Sequence, residues 1–278
     1  MKPCMSQVTT LSTPFEADVS AYARAGWPGL ELWLTKLETF LERQPVAAAK
    51  KLLADEGLIA AGAAAQGGLL RSTGREEHWE LFRRRLDILA ELGVGTLVIT
   101  ADFEGEPRSA DYSRAAEALA VAAERAKRTG IRLALEFQKP SRLCASLDTA
   151  LALIAQVGAE DLGVCLDLFH YYTGPSKFED LAYLSRANLA WVQVCDLAGT
   201  PRELAGDADR ILPGDGDFQI GPILGQLARL GYDGWVSVEV LDPQLWTIAA
   251  DRVADAASGA LRRVLDGLDP ATDARGGP

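Results

Sequence analysis

The chain of 278 residues is 48% hydrophobic, enough to bury a sizeable core, and about 250 residues is the usual size of one (β/α)8 domain. Its 28 Lys and Arg against 39 Asp and Glu give a formal net charge of −11, a field that repels a polyphosphate backbone and argues against a nucleic-acid partner. No apolar run approaches the roughly 18 to 20 residues that span a bilayer, and the first residues lack the basic and apolar regions of a signal peptide, so a soluble cytoplasmic protein without a membrane partner is expected.

Short apolar runs alternate with amphipathic segments along the chain, the pattern of βα units closing a parallel barrel. Strands are predicted at 7–13, 29–34, 58–65 and 96–101, then at 132–137, 162–168, 189–195 and 235–241. Among the intervening helices, the segment from Glu76 to Leu89 carries acids in its first turn and an apolar stripe at helical spacing; His78, among Glu76, Glu77 and Glu80, reads as a solvated surface residue. Gly93, Gly130, Gly158 and Gly231 each follow a predicted helix at a C-cap position. The expected architecture is α/β, a single TIM-barrel domain over residues 1–268 with a disordered tail at 269–278. Cys4, Cys144, Cys165 and Cys195 form no CxxC pair and read as reduced, buried small hydrophobes.

Alternation along the last four strands separates two faces. Leu133, Leu135, Phe137, Leu162, Val164, Leu166, Val192, Val194, Val236, Val238 and Val240 form an apolar set suited to packing under helices. The opposite set is Ala134 and Glu136, Cys165 and Asp167, Gln193 and Cys195, Ser237 and Glu239, which points into the barrel. Three inward carboxylates cost several kcal/mol per ion unless a cation compensates. No Lys or Arg stands among these inward residues, so one bound divalent metal is the expected counter-charge. Glu136, Asp167, Gln193 and Glu239 offer hard oxygen donors at the C-terminal strand ends, where TIM-barrel chemistry is found, and favour Mn²⁺ or Mg²⁺, with Co²⁺ acceptable, over zinc.

Leu133-Ala134-Leu135-Glu136, Cys165-Leu166-Asp167-Leu168-Phe169-His170, Leu212-Pro213-Gly214-Asp215-Gly216-Asp217, Gly231-Tyr232-Asp233-Gly234 and Ser237-Val238-Glu239 together resemble the sugar phosphate isomerase/epimerase family, with its xylose isomerase-like barrel. That resemblance implies metal ligation by Glu136, Asp167 and Glu239, with His170 as the histidine that follows the Asp. Gln193 departs from the pattern, standing where most members have a ligating His. In that respect, and in Arg210-Ile211-Leu212-Pro213-Gly214-Asp215-Gly216, the chain resembles metal-dependent 3-dehydroshikimate dehydratases.

The chemistry expected is proton abstraction beside a carbonyl, through an enediolate. Return of the proton isomerises or epimerises a sugar-like ketone; departure of a β-hydroxyl makes the same site a lyase or dehydratase for 3-dehydroshikimate, an inosose or a 3-keto-glycoside. Glu136 and Glu239 are the candidate acid/base groups, assisted by His170 as acid, base or hydrogen-bond donor. His170, Arg202, Arg210, Gln138, Trp33 and Glu31 are the candidate substrate contacts. Arg202 and Arg210 lie in the long connection after the seventh strand, where each either clamps a phosphate or carboxylate or pairs at the surface with Glu203 or Asp209. Glu31 and Trp33 share a strand face that lines the mouth or packs in the core. Gly214 and Gly216 read as turn formers. The expected partner is a small sugar-like molecule, and a homo-oligomer is left open. The zinc-dependent DNA-repair endonuclease reading needs many His ligands and a basic groove; two His and −11 oppose it. A barrel that binds a sugar without turning it over is a further alternative.

Overall fold

In the computed structural model, which describes residues 1–70, 75–103 and 105–268, the apolar runs pair in chain order into a closed parallel barrel. Its strands are β1 (Lys2–Ser6), β2 (Gly29–Trp33), β3 (Ile59–Gln66), β4 (Thr96–Thr100), β5 (Arg132–Glu136), β6 (Leu162–Asp167), β7 (Leu189–Val194) and β8 (Trp235–Val238), with β8 closing onto β1. Outside them pack α1 (Phe15–Arg24), α2 (Leu34–Leu41), α3 (Val46–Asp55), α4 (Arg75–Leu92), α5 (Ser109–Lys127), α6 (Leu147–Val157), α7 (Leu168–Thr173), α8 (Ile220–Arg229) and α9 (Ala250–Asp266). The tail expected at 269–278 lies outside the described residues. Among the described residues, no helix is long and apolar enough to cross a membrane.

Seven strands begin within one residue of the expected positions, and the first does not. The strand is Lys2–Ser6, whereas Gln7–Thr10 forms a 3-10 turn. Two of its polar side chains reach a buried ion pair instead of alternating across a sheet: Thr10 Oγ1 and Gln7 Nε2 donate to Asp18 at 2.8 and 3.2 Å, and Lys36 Nζ donates to the same carboxylate. This knot ties the loop after β1 to α1 and α2, beside the barrel mouth.

Two apolar layers follow from the alternation. The expected outward set is buried under the helices, where each Leu or Val stabilises the fold by about 1.5–3 kcal/mol. Inside, Cys4, Ala61, Ala64, Val98, Ala134, Cys165 and Ala190 surround Trp191. The indole fills the barrel so closely that a Cβ on Gly62 would stand 2.6 Å from it, which explains the small residues around it. Cys195, expected inward, belongs to the outer core, because β7 has already ended at Val194. All four cysteines are free and buried. Gly158, at φ +66°, ends α6 in the left-handed conformation that a glycine adopts without strain. His78 is not a solvated residue: it is half-buried, with its ring against Gly68, where a Cβ would come within 2.3 Å of it.

Candidate metal and active site

Above the Trp191 layer, the inward positions at the C-terminal strand ends become polar. Strand register brings Asp167 beside Gln193 and Gln193 beside Ser237, while Glu136 pairs with Cys165. Glu239 continues β8, its N–H donating to the Val194 carbonyl at 3.0 Å. Asp167 also caps α7, its Oδ1 accepting from the N–H of Phe169 at 2.6 Å and of His170 at 3.4 Å. That capping turn is the physical reason for the Asp-x-x-His spacing, since it returns His170 to the side of the carboxylate. Side-chain donors of Glu136, Asp167 and His170 all lie within 4.8 Å of one another, and all three residues are buried.

Arg210 is the largest departure from the sequence reading. The cation beside these carboxylates comes from the loop after β7. Arg210 is 2% exposed; its Nη1 donates to Asp167 Oδ2 at 2.8 Å and Glu239 Oε2 at 3.1 Å, and its Nη2 to Asp207 Oδ1 at 2.9 Å. The guanidinium also covers the Phe169 ring at 4.4 Å. It pairs with neither Glu203 nor Asp209 at the surface, and a metal is therefore not the sole counter-charge available to the carboxylates. Arg202 is exposed, is not brought into the cluster, and contributes its carbonyl oxygen to Lys139.

Two anchors hold this loop, and the sequence reading missed both. Asp196 and Ile211 form an antiparallel bridge with both N–H···O distances 2.9 Å, fixing the residue next to Arg210. The Asp196 carboxylate accepts from Leu197 and Phe218 N–H at 2.9 Å and from Gly214 N–H at 3.0 Å. At the far end, Lys139 Nζ donates to the carbonyls of Arg202, Glu203 and Ala205 at 3.1, 3.0 and 2.7 Å. Gly214 and Gly216 serve turns as expected: Gly214 has φ +87°, and a Cβ on Gly216 would meet the Leu197 carbonyl oxygen at 2.4 Å. A lysine after Gln138 gave no signal in the sequence; an Asp two residues past the end of β7, facing a Gly-rich turn, is the kind of loop-binding carboxylate that could have been sought there.

The other expected contacts divide by depth. Gln138 is half-buried, and its Nε2 donates to Glu136 Oε2 at 3.2 Å. Trp33 is half-buried against the inner cluster. Glu31 does not line the mouth: it is fully buried, with Oε1 accepting from Gln193 Nε2 at 2.9 Å and Oε2 from Ser237 Oγ at 2.6 Å. Gln193 turns its amide nitrogen to Glu31 and Glu239, each at 2.9 Å, and its oxygen to Cys165 Sγ at 3.0 Å.

The electrostatics show a surplus of negative charge. Burial, reinforced by neighbouring carboxylates and opposed by Arg210, pushes Glu136 and Glu239 well above the usual carboxylate range, and burial raises Glu31 to about 7. Burial would raise Asp167 too, but Arg210, His170 and the Phe169 N–H outweigh it and hold the carboxyl below its ordinary value. Burial lowers His170 against the attraction of Asp167. The Lys139 N–H approaches its Nδ1 at 3.4 Å and Arg210 Nη2 its Nε2 at 3.5 Å. A neutral imidazole accepts at only one of its nitrogens. Four buried acids against one guanidinium, with donors at ligand spacing, fit a divalent cation.

The closed eight-stranded parallel barrel defines a class by its fold, the TIM barrels. A family model described as xylose isomerase-like TIM barrel matches residues 19–264, and the chain belongs to that family. It is 30% identical over 129 residues to an inosose isomerase of Halalkalibacterium halodurans, an alignment spanning 46% of each chain. With a 3-dehydroshikimate dehydratase of Pseudomonas aeruginosa it shares 29% identity over 170 residues, 59% of this chain and 26% of that protein. A crystal structure of the IolI protein with a bound zinc atom superposes with a TM-score of 0.91 at 21% identity, covering 97% of this chain and 100% of that one. The chain thus shares its family with enzymes, and its expected barrel is the observed one.

Proposed function

We propose that the protein is a divalent-metal-dependent isomerase or epimerase of a sugar or sugar-like ketone, with Mn²⁺, Mg²⁺ or Co²⁺ as its ion. The observation that carries this reading is the convergence of Glu136, Asp167, His170, Gln193 and Glu239, none more than 6% exposed, at the C-terminal end of the barrel. Glu136, Asp167 and Glu239 would hold the ion, with the Gln193 amide oxygen as a neutral donor, and a bound ion would supply Lewis acidity toward a carbonyl oxygen and its adjacent hydroxyl. Glu136 and Glu239 reach the cluster from strands three apart, so one carboxylate is placed to take an α-proton and the other to return it. Return to the neighbouring carbon isomerises; return to the opposite face of the same carbon epimerises. His170, kept neutral by burial, exchanges a hydrogen bond or proton with a substrate oxygen. Trp33 and Gln138, both half-buried, stand ready to contact the sugar-like body.

Arg210 favours a second reading. A buried guanidinium beside the acids suits a substrate carboxylate, and in a dehydratase the same α-proton abstraction ends with loss of a β-hydroxyl. Both readings are supported by the kinds of enzyme among the relatives. The test is metal analysis of the purified protein, followed by incubation in D₂O with Mn²⁺ and ketoses, inososes, 3-keto-glycosides or 3-dehydroshikimate. Deuterium at an α-carbon is expected with one class of substrate, and an unsaturated product identifies the dehydratase. Metal-dependent sugar binding without any exchange would overturn the enzymatic reading in favour of a binding barrel.

A further inference from the structure

Beneath the cluster lies a fourth carboxylate that the proposed reaction leaves without a task. Glu31 commits both oxygens, one to Gln193 Nε2 and one to Ser237 Oγ, and is fully closed to solvent. Both Glu31 oxygens accept a hydrogen bond here, one from the Gln193 N–H and one from the Ser237 hydroxyl, so this arrangement holds the N–H side of the Gln193 amide against Glu31. The same nitrogen has a second hydrogen, which goes to Glu239 Oε1 at 2.9 Å. With the nitrogen held between two carboxylates, the amide oxygen is turned to β6, where it accepts from Cys165 Sγ two positions before Asp167. The reversed amide would place its oxygen 2.9 Å from two carboxylate oxygens.

We propose that Glu31 is a positioning residue: it fixes the Gln193 amide with its oxygen on the β6 side of the metal cluster, and through the amide nitrogen it steadies Glu239. Ser237 fixes Glu31 in turn. The inference rests on the metal reading above and assigns a role to a side chain that touches neither substrate nor ion. Groups that orient a ligand from behind characteristically cost about 10–100-fold in metal affinity when lost.

The test is Mn²⁺ titration of the full chain, followed by the paramagnetic resonance signal of free Mn²⁺, with circular dichroism to verify folding. Glu31→Gln is expected to weaken binding about tenfold or more, and Ser237→Ala to weaken it by a smaller factor. Glu31→Gln added to Gln193→Leu should cost nothing beyond Gln193→Leu alone, because Glu31 acts through that amide; a merely structural role would cost the same in both backgrounds. Wild-type affinity in folded Glu31→Gln, or an undiminished loss in the Gln193→Leu background, overturns the proposal. Should Glu31→Gln fail to fold, Ser237→Ala decides, and unchanged affinity there overturns it. A wild-type chain that takes up no Mn²⁺ overturns the metal reading itself, a distinguishable outcome.

Discussion

Replacing Arg210 by Met keeps much of the side chain's length and its contact with Phe169 while deleting the guanidinium that bonds both Asp167 and Glu239. Those contacts are 2.8 and 3.1 Å long, and Arg210 is 2% exposed, so little water is at hand to take over. Removing one partner of a buried ion pair characteristically costs about 3–5 kcal/mol, because a charge is left uncompensated. At roughly 2–4 °C per kcal/mol for a domain of this size, the melting temperature in chelator should fall by about 10 °C. Saturating Mn²⁺ should return part of that loss by supplying positive charge to the same oxygens, so metal should stabilise Arg210→Met more than wild type. The assay is thermal denaturation at pH 7 with chelator and with Mn²⁺. A variant melting within about 2 °C of wild type in chelator would show that the pair contributes little, and the electrostatic account of the cluster would fail.

Gln193→His should keep or tighten Mn²⁺ binding, since imidazole is a good donor, while changing turnover; Gln193→Leu should weaken binding, and unchanged affinity in the Leu variant would remove Gln193 from the metal's surroundings. Lys139→Met should release the loop whose carbonyls it holds, raising hydrogen exchange at Leu204 and Ala205 and increasing KM more than it lowers kcat; equal exchange in both proteins would show that Lys139 does not restrain the loop. The pH dependence follows from Glu31, Glu136 and Glu239, whose values are raised chiefly by burial. A carboxyl raised in the folded state contributes stability that is complete below its unfolded value and is lost as pH rises through the folded one. In chelator the melting temperature should therefore fall between about pH 4.5 and 7, and excess Mn²⁺ should remove most of the fall; a flat profile in chelator would contradict this sign.

Much of the barrel was legible because its strands obey a period of two with branched apolar residues outside, and helices follow at short intervals. The first strand was misplaced because Gln7, Val8, Thr9 and Thr10 look like strand formers, while the polar groups of Gln7 and Thr10 satisfy Asp18 and Lys36 in a turn. The same alternation marked Glu136, Asp167, Gln193 and Glu239, since acids on an otherwise small inward face stand out. Arg210 was visible as a candidate but not as part of the cluster, because its position depends on the Asp196–Ile211 bridge and the Lys139 anchor, contacts across long sequence separations that no local period encodes. Glu31 was seen, but its depth depends on where β2 sits against β7 and β8, which only closure of the barrel fixes.

Under the proposed function, this cluster loaded with a divalent ion removes a proton next to a carbonyl. Deuterium incorporation from D₂O at the α-carbon of whichever ketone proves reactive tests it most directly, measured for Mn²⁺-loaded wild type, chelated wild type and Mn²⁺-loaded Glu239→Gln. Exchange is expected in the first, none above background in the second, and a loss of at least about 100-fold in the third, the scale on which a positioned acid/base group acts. Exchange that persists in chelator, or that is undiminished in Glu239→Gln with metal bound, would contradict that function.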